Sequence, residues 1–136
     1  MTYLIHALAA ATLLAGCTAT PAPAKDTPMN SSATLLPQKT VDVAPGTTLR
    51  YEGANDSRCP PDVRCVVAGE IAYKFILNGA AGTEAFILSK ARPAFDAATF
   101  KGVRVTLGET AEPALRPSTA SAPVVIMPVT VNITRP

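Results

Sequence analysis

This sequence predicts an all-β domain, a small antiparallel sandwich or barrel of about six to eight short strands with one disulfide-closed loop. Three observations carry that expectation. Apolar and polar residues alternate at period two along much of residues 39–136. Glycine and proline punctuate these runs, with 8 Gly and 13 Pro in 136 residues. The chain is 48% hydrophobic and only 16% charged, which excludes global disorder.

The alternation places the strands one by one. Val41 and Val43 flank Asp42, and Leu49 and Tyr51 flank Arg50. Ile71, Tyr73, Phe75 and Leu77 alternate with Ala72, Lys74 and Ile76. A further strand covers Thr83 to Leu88, and Val103, Val105 and Leu107 make another. Met127, Val129, Val131 and Ile133 close the series, with Pro128 marking an edge or a bulge. Pro45-Gly46, Asn78-Gly79, Gly82, Lys101-Gly102 and Gly108 supply turns between the runs. Asn78-Gly79 predicts a hairpin between its flanking strands, through a loop of about five residues. Ala91 to Phe100 is expected to form one helical turn, with Phe95 and Phe100 plugging the core. Glu109–Pro123, which contains three prolines, is expected to be a long surface loop.

Charge and histidine content narrow the chemistry. Twelve Lys+Arg against 10 Asp+Glu give a formal net charge of +2, too little to imply a nucleic-acid partner. The one histidine, His6, lies in a segment expected to be removed. No GxSxG and no Ser-x-x-Lys box occurs, and the acids form no recognisable catalytic pair. The sequence therefore names no catalytic residue, no metal ligand and no cofactor.

The amino-terminal segment reads as an address. From Leu4 to Gly16 the chain is nearly all Ala and Leu, too short to span a bilayer and ending in small residues. Leu14-Ala15-Gly16-Cys17 resembles the lipobox of bacterial lipoproteins. The resemblance implies that residues 1–16 are a signal peptide, cleaved between Gly16 and Cys17, and that Cys17 is lipidated. It also implies a membrane anchor, since about 0.8 kcal/mol per buried CH₂ accrues along several acyl chains. By the sorting rule of that family, Thr18 after the cysteine implies the outer membrane of the cell envelope rather than the inner one, in a cell that has both. The stretch before the apolar run departs from the family pattern in carrying no Lys or Arg. Residues 17–38, rich in Pro, Ser, Thr and Ala, read as a tether, with Leu35-Leu36 the first residues to dock on a β domain spanning 39–136.

Residues 56–70 are the densest motif. With Cys17 consumed by lipidation, Cys59 and Cys65 remain, and an exported chain meets an oxidising compartment that favours their disulfide. A ring this short contributes about 2 kcal/mol by chain entropy. Residues 56–72 resemble a DSRCPxxVxCVWAGxA motif of small secreted or lipid-anchored bacterial proteins that have no settled activity, with Val67 where tryptophan is usual. That resemblance implies a disulfide and a β domain but no reaction. On the structural reading, Asp56 and Ser57 form an Asx turn and the disulfide pins the loop to a strand starting near Val66. Arg58, Asp62, Arg64 and Glu70 then exchange salt bridges over it. On the functional reading, Asp56, Arg58, Asp62, Arg64 and Glu70 form an interaction loop. The expected protein is a non-catalytic, lipid-anchored binding or structural domain whose partner is an envelope protein or glycan. The alternative is a protease-inhibitor-like or a ligand- or metal-binding module that uses the same loop.

Overall fold

A strand turns alternate side chains to opposite faces, so each period-two run needs a second layer to cover its apolar side. The computed structural model describes residues 30–119 and 126–135 and supplies that layer. Eight strands form: β1 (Asn30–Leu35), β2 (Thr40–Ala44), β3 (Thr47–Asp56), β4 (Ile71–Gly79), β5 (Gly82–Leu88), β6 (Ala94–Asp96), β7 (Arg104–Leu107) and β8 (Val129–Thr134). One sheet has the order β1-β8-β7-β6 and the other the meander β2-β3-β4-β5, with every pairing antiparallel. The fold is a small β-sandwich. Leu49, Tyr51, Tyr73, Phe75, Leu77 and Leu88 of the meander share one core with Leu35, Val105, Val129, Val131 and Ile133 of the other sheet. Tyr51 ties the layers with a polar contact as well, its hydroxyl donating to the Met127 carbonyl at 3.0 Å.

Several expectations need correction. Asn30–Leu35 lies in the segment that composition marks as tether, yet it pairs along its whole length with β8. Leu35, 3% exposed, is its anchor, and backbone pairing holds the polar residues before it. Because β1 and β7 flank it, β8 is central; Pro128 precedes its first residue and forms neither an edge nor a bulge within it. The hairpin after Asn78-Gly79 is tighter than expected, since Gly79 pairs with Gly82 across Ala80-Ala81. No helical turn forms over 91–100. Ala94–Asp96 pairs with β7 instead, and the Glu84 carboxylate accepts from the Ala98 and Thr99 amides at 3.0 and 3.1 Å. Phe100 does plug the core at 7% exposure, whereas Phe95 is half-buried and stacks on Phe86 with ring centroids 4.0 Å apart. The signal peptide, its Gly16–Cys17 cleavage point, the lipidated Cys17 and the first part of the tether lie outside the described residues.

One irregularity positions the site. The β3–β4 register shifts between Tyr51 and Gly53, a bulge at which Gly53 adopts a φ of 137°, favoured by glycine. The extra residue restores inward phase, so Ala54 packs on the core and Asp56 pairs with Ile71 at the end of the sandwich. Strict alternation from Tyr51 would have turned Asp56 to the opposite face.

Candidate functional site

Between Asp56, the last residue of β3, and Ile71, the first of β4, the chain makes its densest loop. Cys59 and Cys65 are joined by a disulfide, with Cα atoms 5.9 Å apart. The loop's neck is closed by hydrogen bonds. The Ser57 amide and hydroxyl donate to the Glu70 carbonyl at 3.0 Å each, and the Glu70 amide donates back to Ser57 Oγ at 3.1 Å. Gly69 lets this neck close, because a Cβ there would sit 1.7 Å from the Ser57 carbonyl oxygen.

Asp56 forms the expected Asx turn, accepting the Arg58 amide at 3.1 Å on Oδ1. It also grips the Arg58 side chain with both oxygens, at 2.9 Å from Nε and 2.7 Å from Nη2. Arg58 then reaches across to the 108–119 segment, donating to the Pro113 carbonyl at 2.9 Å and to Glu112 Oε2 at 3.4 Å. Hydrogen bonds from Arg58 hold the Asp56 carboxyl below its usual pKa, and Asp56 in turn raises that of Arg58. Lys90 closes the cluster from the β5–β6 connection, its Nζ 2.6 Å from Glu112 Oε1. Asp62 binds the same long segment farther out, accepting from the amide and hydroxyl of Ser118 at 2.8 and 2.7 Å. These two bonds lower the Asp62 pKa. The 109–123 surface loop is thus laced onto the disulfide loop over the part of it that is described.

The expected salt-bridge exchange is therefore replaced by a different network. Arg58 pairs with Asp56 and Glu112, Asp62 bonds Ser118, and among the described residues no ion pair includes Arg64 or Glu70. The strand expected near Val66 starts at Ile71. The closed neck and the disulfide hold residues 57–69 off the sheet, leaving Val66 at 103% and Val67 at 77% exposure. Arg58 is a scaffold residue, whereas Arg64 is exposed on the loop.

Behind the loop lies a cleft of about 1040 Å³ at the end of the sandwich. Val67, Ile71, Pro93 and Leu107 give it apolar walls, while Glu70, Lys90, Glu109 and Glu112 give it charge. Tyr73 lies at its base, 3% exposed. Among the described residues nothing hydrogen-bonds its hydroxyl, which stands in the field of Glu112, Arg58 and Asp56. Burial, and then the Glu112 carboxylate, raise the Tyr73 pKa and keep the phenol protonated. No group of three or more potential metal-ligating side chains occurs among the described residues. Sequence reasoning placed Tyr73 in the core by its alternation but did not see its hydroxyl in a cleft. Lys90, Glu112 and Ser118 carried no signal, because they lie in irregular segments without periodicity. The chain matches no family model, no curated protein and no solved structure.

Proposed function

We propose that this protein is a lipid-anchored domain of the cell envelope that binds a partner through the disulfide-closed end of its sandwich. One observation carries the reading: adjacent Val66 and Val67 stand in solvent just past the Cys59–Cys65 disulfide, inside the loop whose Ser57–Glu70 neck is closed by hydrogen bonds, beside a cleft. Apolar side chains held outward by structure suit recognition, and a constrained loop loses little freedom on binding. The anchor rests on the Leu14-Ala15-Gly16-Cys17 box and brings that surface to the membrane. The described residues at this end offer contact and charge.

A photo-reactive side chain at position 67, introduced in cells, tests the binding end. Specific crosslinks to an envelope component are expected there and not from position 101, in the loop at the other end of the sandwich. Equal crosslinking from both positions, or none from position 67, overturns the assignment. Replacing Cys17→Ser should abolish fatty-acid labelling and release the chain from membranes; unchanged labelling and fractionation refute the anchor.

A further inference from the structure

The last strand of a sheet has one row of main-chain groups with no strand beside it. On β5 that row can be traced bond by bond. The Tyr51 amide donates to the Lys39 carbonyl at 2.9 Å, and the Gln38 amide donates to the Tyr51 carbonyl at 2.7 Å. Tyr51 and Leu49 therefore direct their main-chain groups toward β2, and Thr48 and Arg50 direct theirs toward Asn78 and Ile76 of β4. Phe75 and Leu77 are left to bond their partners in register, Phe86 and Glu84. The amides and carbonyls of Thr83, Ala85 and Ile87 then point out of the sheet edge. All three residues are exposed, and no described residue hydrogen-bonds that outer row. The other edges are guarded. β2 has a register shift between Asp42 and Ala44, β6 is three residues long and ends in Asp96, and β1 begins Asn-Ser-Ser. β5 runs seven residues with no proline, lysine or register shift. Its one charge, Glu84, is in phase with buried Phe86 and Leu88 and is bonded to the Ala98 and Thr99 amides. On the opposite face Ile87, 40% exposed, stands with Ala85 and Ile76 in a groove of about 720 Å³ that Arg92, Ala94 and Phe95 also line.

We propose that two copies of this chain pair through β5, antiparallel about a two-fold axis at Ala85. In that register the row is its own complement: Ala85 faces the second copy's Ala85, Thr83 faces its Ile87, and about six main-chain hydrogen bonds close the seam. A slip of one residue brings in Glu84 and Phe86, whose main-chain groups already bond β4, so the register is fixed. The two four-stranded meanders become one continuous sheet, and Ile76, Ala85 and Ile87 of both copies form one apolar strip across it. Charge agrees with this arrangement. Arg92, which enters no ion pair among the described residues, lies past the end of β5, and antiparallel pairing turns it toward the Glu84 end of the other copy and away from the second Arg92. A second copy satisfies two open rows at once, whereas an unrelated peptide satisfies one. Because each β5 is consumed in the seam, the assembly closes at two copies. The inference is independent of the disulfide end, since the row lies along the side of the sandwich.

Sedimentation equilibrium of the full mature chain in density-matched detergent measures the mass of the assembly. A reversible monomer–dimer equilibrium is expected. Ala85→Pro is the decisive variant. The Ala85 amide has no partner within one copy, so the melting temperature should hold, while the seam loses a donor from each copy at its centre. The dissociation constant should rise about ten-fold or more. Ala85→Lys, which sets two like charges together on the axis, should do the same and serves if the proline variant does not fold. Crosslinking in isolated membranes tests the register. Ala85→Cys should be joined to itself by a short bismaleimide, since the two Cα atoms lie about 5.5 Å apart across the axis, whereas Thr83→Cys should not. Five results overturn the proposal: a wild-type chain that is monomeric at every concentration reached, a dimer that survives the folded variant, species larger than a dimer, self-crosslinking of Thr83→Cys in place of Ala85→Cys, or crosslinks from position 85 only to a different protein.

Discussion

Gly69→Ala is the sharpest perturbation of the loop. The added methyl would lie 1.7 Å from the Ser57 carbonyl oxygen and 2.3 Å from its carbon. Ordinary van der Waals contact begins near 3.4 Å, so one side of the neck must move by more than an ångström. The obstructing atoms are backbone, and no rotamer change relieves them. Moving apart breaks the Ser57–Glu70 bonds, which are 3.0, 3.0 and 3.1 Å long. At about 1 kcal/mol net for each, and with water recovering part of the loss at this exposed neck, the cost is about 2–3 kcal/mol. For a domain of this size that lowers Tm by roughly 10–20 °C. Thermal unfolding of the oxidised protein followed by circular dichroism measures it. Ser57→Ala, which removes only the two hydroxyl bonds, should fall between wild type and Gly69→Ala. A Gly69→Ala midpoint within about 2 °C of wild type would refute the closed neck, since so small a shift is well below 1 kcal/mol.

Three further outcomes follow from the same structure. Tyr51→Phe should cost about 1 kcal/mol by removing the bond to Met127, whereas Tyr73→Phe should be nearly neutral; equal losses in denaturant titrations would contradict the two hydroxyl environments. Burial pushes the Tyr51 pKa up to about 12, so its stabilising contribution is full below pH 10 and lost as pH rises toward 12. Phenolate absorbance appearing at pH 10 in the folded Tyr73→Phe variant, where Tyr51 is the remaining phenol of the β domain, would exclude that. Asp56 acts in the opposite sense: its pKa is depressed, chiefly by hydrogen bonds from Arg58, so its contribution is present above 3.8 and fades as pH falls through the lowered value. Arg58→Gln should flatten the acid limb of stability against pH, and an unchanged slope would argue against the pair.

The fold was legible because burial on one face writes itself as alternation. Ile71 to Leu77 is the clearest case, with every second residue buried. The disulfide was legible from two cysteines six positions apart and the expectation of export. The parts that sequence missed depend on backbone partners rather than side-chain pattern. Asn30–Leu35 is a strand because β8 offers it a full ladder, not because its residues favour one. Ala94–Asp96 is drawn into a sheet by β7, where local composition suggested a turn of helix. At the site, Asp56 and Arg58 were singled out, but the hold of Arg58 on Glu112 and Pro113 spans more than fifty positions. A single sequence does not display such contacts. The face on which Asp56 lies hinges on the Tyr51/Gly53 bulge, whose only signal was an isolated glycine within a strand.

Intact mass spectrometry of the protein isolated from the membrane fraction, with and without reduction, tests the account most directly. The expected species starts at Cys17, carries added acyl mass, and gains two hydrogens on reduction, localised by fragmentation to Cys59 and Cys65. A leader-bearing, unacylated chain with titratable thiols at both loop positions would contradict it.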